Sequence, residues 1–127
     1  MKSMLLVAVG GALGSAARYQ CGALILTYAI GWRFPAGTFA VNVAGCVIAG
    51  VLIGLAENHD FLTAQTRLLV FTGFLGGFTT FSAFGIETVS LIQKGDAAVA
   101  AAYVGLSVLC GLLGLWAAVK VAGMLGA

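Results

Sequence analysis

An all-α integral membrane protein of four transmembrane helices, with a break in the third, is predicted by three observations. Of the 127 residues 61% are apolar and only 8% charged, where a soluble domain carries roughly 25% charged residues. The mean hydropathy is +1.11. The charges also stand singly: residues 3–32 hold Arg18 alone, and residues 34–56, 68–86 and 97–119 hold none. Finally, the third apolar stretch contains Gly76-Gly77 followed, after Phe78, by Thr79-Thr80 and then Ser82. The predicted spans are 3–30, 35–56, 66–93 and 97–122 of one transmembrane domain. Four spans of about 20 residues leave no room for a soluble domain.

In the first span, Met1-Lys2 precedes an apolar run ending in Gly14-Ser15-Ala16-Ala17, a pattern shared with signal peptides. Apolarity resumes after Arg18 and continues to Trp32, so a retained span is expected. Tyr28 and Trp32 suit an interfacial aromatic belt, and Pro35 suits the first turn of the second helix. In the second span Thr38 and Asn42 lie four apart, on one helical face. Between residues 57 and 67 runs a polar connection, where His59 is expected to be solvated. The fourth span follows the short Lys94–Asp96 turn and offers Tyr103 and Ser107, again four apart.

Charge placement bears on orientation and partners. Four spans put Lys2, Arg67 and Lys120 on one side of the membrane and Arg33 and Lys94 on the other. That bias is slight. It allows insertion either way up and pairing of opposite copies, although one charge is also enough to fix a single topology. The net charge of +2 forms no basic cluster, so no nucleic acid is expected as a partner. Cys21, Cys46 and Cys110 are widely spaced in apolar stretches and are read as small packing residues. Gly10/Gly14, Gly50/Gly54 and Gly73/Gly77 are each four apart and allow close helix packing.

The third span carries the chemistry. Phe71, Phe74, Phe78, Phe81 and Phe84 would line one side of a continuous helix, a stripe that also suits lipid contact or core packing. The Gly pair and the hydroxyl side chains after it favour a helix break. Irregular backbone within a bilayer is tolerated only inside protein or beside a cavity, and carbonyls exposed at such a break hold cations. Glu87 beyond the break and Arg18 in the first span are ionisable groups at membrane depth, hence functional candidates. The Asn42 amide either bonds a neighbouring helix or, with Tyr103 and Ser107, donates to a passing anion. Phenyl edges carry positive charge, so together these residues outline a path for a small anion with no fixed cation to trap it.

Across essentially its whole length the chain resembles the Fluc (CrcB-type) fluoride channels. The resemblance rests on GGALGSAARY with Arg18, GTFAVNVAG with Asn42, and above all GFLGGFTTFSAFGIET in the third span. It implies an antiparallel, dual-topology homodimer in the bacterial inner membrane, with two fluoride pores and a structural sodium ion at the dimer centre. Phe81 and Phe84 match the family's pore phenylalanines, Asn42 its pore asparagine, and Tyr103 and Ser107 its fourth-helix pore residues. Gly76 and Thr79 match positions whose backbone carbonyls hold the sodium. Thr80 and Ser82 fall in its polar track, and Arg18 and Glu87 match charged positions near a vestibule. Ala83 and Gly85 depart from the family, which often has a hydroxyl or polar residue there. The shorter track is expected to lower conductance or affinity without abolishing permeation.

Such a pore confers fluoride resistance passively. Hydrogen fluoride enters as a neutral acid and ionises, and a potential negative inside drives the anion out with about 2.3 kcal/mol per 100 mV. Two other readings stand beside it: a small proton-coupled, dual-topology drug exporter, and a non-transporting membrane scaffold subunit. The exporter needs an acid in its chamber, for which Glu87 is the only acid within a span. An enzyme is not expected, because the sequence offers neither a nucleophile triad nor a His/Glu metal set.

Overall fold

The structure is a computed structural model that describes residues 1–56 and 62–125. The connection bearing Glu57, His59 and Asp60 lies outside the described residues. Every regular element among the described residues is helical. Helix α1 is Lys2–Tyr28 and α2 is Ala36–Ala56. Helix α3, residues 64–78, is composite: one α-helical turn Ala64–Arg67, a π-helical stretch Leu68–Leu75, and a last turn Gly76–Phe78. Two extended residues follow, then α4, Phe81–Gln93, and α5, Ala97–Leu125.

Local chemistry sets these boundaries. The Thr63 hydroxyl accepts the Thr66 N–H at 3.2 Å and so caps α3. Gly95 adopts φ +82° after α4. Its N–H donates to the Ile92 carbonyl at 3.0 Å, and the Asp96 N–H donates to Leu91 at 2.9 Å. Those bonds satisfy carbonyls at the helix end and turn the chain straight back into α5. Arg33 and Asp96 form an ion pair at 2.6 Å, which ties the α1–α2 connection to the α4–α5 turn at the same end of the molecule.

Among the described residues three helical runs are long and apolar enough to cross a membrane: Ala36–Ala56, Ala64–Gln93 taken through its interruption, and Ala97–Leu125. Helix α1 has 27 residues, about 40 Å of rise. Its apolar character is diluted in the second half by Arg18, Tyr19 and Gln20. Many large apolar side chains, including Leu109, Leu112, Leu113 and Trp116 on α5, face outward. An apolar exterior of this kind suits lipid as the surrounding solvent.

Helix α1 packs along α3, α2 packs along α5, and α4 lies against α5 and α2. Glycines make the first two seams. A Cβ on Gly10 or Gly14 would strike the carbonyls of Leu69 and Phe74, and one on Gly77 would sit 2.5 Å from the Gly11 carbonyl. At the other seam, Gly50 and Gly54 face the carbonyls of Leu115 and Val119 in the same way. Backbone therefore meets backbone, and the three glycine pairs seen in the sequence form two contact lines. Between the seams Val41, Leu75, Phe78, Leu91, Ala100 and Tyr103 are buried.

Candidate functional site

The site forms where the chain leaves the helix between α3 and α4. Thr79 (φ −86°, ψ 158°) and Thr80 (φ −149°, ψ 116°) are both extended. The Thr79 N–H, both backbone groups of Thr80 and the Ala83 N–H find a side-chain partner or keep a helical one. The Thr79 N–H and hydroxyl both donate to the Leu75 carbonyl, at 2.9 and 2.8 Å. The Thr80 N–H donates to Asn42 Oδ1 at 2.8 Å, while Asn42 Nδ2 donates to the Thr80 carbonyl at 3.1 Å. Asn42 thus pairs with Thr80 as a neighbouring strand would. The Thr80 hydroxyl then accepts the Ala83 N–H at 3.2 Å and caps α4.

Those bonds also redirect two N–H groups. In an unbroken helix Thr80 would donate to the Gly76 carbonyl and Ala83 to the Thr79 carbonyl. Here they donate to Asn42 and to the Thr80 hydroxyl, so the Gly76 and Thr79 carbonyls do not receive the N–H groups of a continuous helix. Carbonyl oxygens at such an interruption are hard donors suited to a cation such as sodium.

The interruption also divides the phenylalanine stripe. Phe74 and Phe78 stack at 5.8 Å and 9° on α3, whereas Phe81 and Phe84 pair at 5.6 Å and 37° on α4. Phe78 is 5% exposed and Phe81 84% exposed. A single continuous stripe is therefore not what the chain builds, because two extended residues rephase the second pair.

Around the break lies a cavity of about 280 Å³, lined by Asn42, Thr79, Thr80, Phe81, Phe84 and Ser107, with Cys46 and Val108. None of these side chains is charged. The Ser107 hydroxyl is buried without a hydrogen-bond partner, the only such side-chain atom among the described residues. An unsatisfied buried hydroxyl costs about 1–3 kcal/mol, so this one is available to a ligand in the cavity. Asn42 keeps one N–H beyond its bond to Thr80, since a primary amide has two.

A second polar group sits behind Phe84. Glu87 accepts the Thr38 hydroxyl on Oε1 and the Tyr103 hydroxyl on Oε2, both at 2.7 Å, linking α2, α4 and α5. Tyr103 is fully buried. Its ring lies 5.1 Å from Phe84, and it does not line the 280 Å³ cavity. Arg18 lines a smaller space of about 120 Å³ with Thr38, Thr80 and Glu87. Ser82 is exposed, with its hydroxyl 3.3 Å from that of Thr80.

The break thus gathers Asn42, Thr80, Phe81, Phe84 and Ser107 in one space, and it places Arg18 and Glu87 together in another. Cys46, read from sequence as a packing residue, is a lining residue. The signal for it was its position four after Asn42, on the same face of α2. Thr38 gains its role from Glu87, a partner 49 residues away that spacing alone does not reveal.

A family model described as "CrcB-like protein, Camphor Resistance (CrcB)" matches residues 5–119. The chain belongs to the CrcB-like family. Among the relatives of this CrcB-like chain, a protein of Methylobacillus flagellatus is 50% identical over 116 residues, covering 91% of each chain. One from Rhizobium etli is 48% identical over 108 residues, 85% of this chain and 86% of the relative. A Flavobacterium psychrophilum relative is 37% identical over 122 residues, 96% of this chain and 98% of its own. All three carry the name "Fluoride-specific ion channel FluC". The CrcB-like chain is accordingly a multi-pass membrane protein of a channel family.

Proposed function

We propose that this chain is a fluoride-selective channel of the bacterial inner membrane that exports cytoplasmic fluoride passively and confers fluoride resistance. The observation that carries the reading is the cavity at the break. It combines two phenyl rings, one remaining amide N–H and an unpartnered hydroxyl, with no charged side chain on its wall. Ring edges and neutral donors replace hydration water weakly enough to let a small anion leave again. The names and near full-length coverage of the relatives support fluoride as the ion.

In this reading α1, α2, the interrupted α3–α4 run and α5 are four spans, and two copies pair antiparallel with two pores. The near balance of Lys2, Arg67 and Lys120 against Arg33 and Lys94 supports dual topology. The 84% exposure of Phe81 supports a second copy closing the path beside it. Gly76 and Thr79 carbonyls would hold the structural sodium, which supplies positive charge to bind the broken ends together. Phe81, Phe84, Asn42 and Ser107 line the path, Thr80 and Ser82 continue it, and Tyr103 joins it through Phe84. Arg18 and Glu87 mark a vestibule.

The test is fluoride efflux from liposomes holding the purified protein, a potassium gradient and valinomycin, read beside chloride. Rapid fluoride efflux with little chloride flux is expected, and Phe81→Ile should remove it while leaving the dimer intact. Absence of efflux from dimeric wild-type protein would overturn the reading.

A further inference from the structure

The residue just before Pro35 stands outside every helix, yet it touches the site through a series of rings. The Phe34 ring meets Phe39 edge-on at 5.3 Å and 73°, and Tyr103 edge-on at 5.4 Å and 85°. Tyr103 in turn lies against Phe84 at 5.1 Å, and Phe84 against Phe81 at 5.6 Å. An unbroken run of aromatic contacts therefore leads from the α1–α2 connection to the cavity wall.

The start and the middle of that run are anchored. Arg33, the neighbour of Phe34, pairs with Asp96 at 2.6 Å, and the Asp96 carbonyl accepts the Ala100 N–H at 3.0 Å at the start of α5. On the other side Pro35 fixes its own φ and restricts Phe34 to extended backbone. Tyr103 is held at its tip by Glu87 and on its ring by Phe34 and Phe84. Its hydroxyl bond leaves the ring free to turn about the Cβ-to-hydroxyl axis, and the edge-on packing of Phe34 opposes that turn. The orientation matters because a phenyl edge attracts an anion while its face repels one.

We propose that Phe34 is a positioning residue for Phe84, acting through Tyr103, so that the connection at one end of the molecule sets the selectivity of the cavity. This rests on the reading that Phe81 and Phe84 line a fluoride path. Without the ring at 34, Tyr103 turns, Phe84 follows, and its edge no longer faces the ion squarely. Discrimination against chloride falls with it.

Fluoride and chloride efflux are measured in liposomes for the full-length wild type, Phe34→Leu, Phe34→Tyr, Arg33→Gln and Phe84→Ile. A loss of folded protein lowers both fluxes together and leaves their ratio unchanged, so the ratio is the readout. Phe34→Leu is expected to lower the fluoride-to-chloride ratio about three- to tenfold, the equivalent of one ring contact. Phe34→Tyr, which keeps the ring, restores the ratio. Arg33→Gln, an exposed change that loosens only the anchor, lowers the ratio about twofold, as befits an exposed ion pair. It serves as the deciding variant if Phe34→Leu does not fold. A wild-type ratio in Phe34→Leu, or in Arg33→Gln where that variant decides, overturns the proposal while loss of flux in Phe84→Ile upholds the path. Wild-type fluoride flux in Phe84→Ile overturns the path itself.

Discussion

Two regions of this molecule are held by opposite means. Along the α1–α3 and α2–α5 seams the chain removes side chains, so that glycines bring carbonyls against the facing backbone. At the α3–α4 break it does the reverse, and Asn42, Thr79 and Thr80 supply side-chain oxygens and an amide where backbone partners are lost. Lipid is as apolar as leucine, so helices in a bilayer gain little from burying apolar surface against one another. Dispersion at close range holds the seams, and hydrogen bonds hold the break. Only the second solution leaves polar groups near a cavity, which is why the candidate site lies there.

The largest loss is expected at a seam. Gly14→Leu places a branched side chain against the Phe74 carbonyl and the Phe78 N–H, where backbone has no room to yield. A loss of at least about 3 kcal/mol is expected, seen as loss of a monodisperse peak on size exclusion in detergent. At the break, Asn42→Leu strips partners from the Thr80 N–H and carbonyl together. It should cost at least about 2 kcal/mol in unfolding free energy and abolish fluoride flux from whatever protein remains folded.

Smaller changes sharpen the contrast. Thr38→Val keeps shape and removes one hydrogen bond to Glu87; denaturant titration should show a loss of about 1 kcal/mol, between the values for such bonds in water and in membranes. Gly105→Ala serves as the glycine control, since a Cβ there meets nothing within 4 Å. Its thermal midpoint should stay level or rise, by no more than the equivalent of about 1 kcal/mol of helix propensity. A large loss at Gly105 would mean that glycines outside the two seams also face a partner.

Much of the architecture was legible because charges punctuate the chain and because a turn needs Gly95 or Pro35 in a particular place. The run Gly76-Gly77-Phe78-Thr79-Thr80 marks the departure from helix for a local reason, since threonine hydroxyls satisfy groups that the helix releases. The bond between Asn42 and Thr80 was not legible, because it joins residues 38 apart whose alignment depends on how α2 docks. For the same reason the sequence left Asn42 open between helix bonding and anion contact, and it left Tyr103 as a bare hydroxyl rather than the support behind Phe84. The π-helical stretch Leu68–Leu75 carries no local composition that marks it.

That stretch has a consequence for how this sequence is free to vary. A π-turn holds about one residue more than an α-turn, roughly 4.4 in place of 3.6, so each residue turns the chain by about 80°. Inserting or deleting one residue between 68 and 75 at fixed winding would swing everything after it by about that angle. Gly77 would leave Gly11, and Thr80 would turn away from Asn42. Substitution in the stretch is open wherever the new side chain fits, whereas its length is locked, and a change of length in related chains should come only with a matching change of length or of glycine phase in α1.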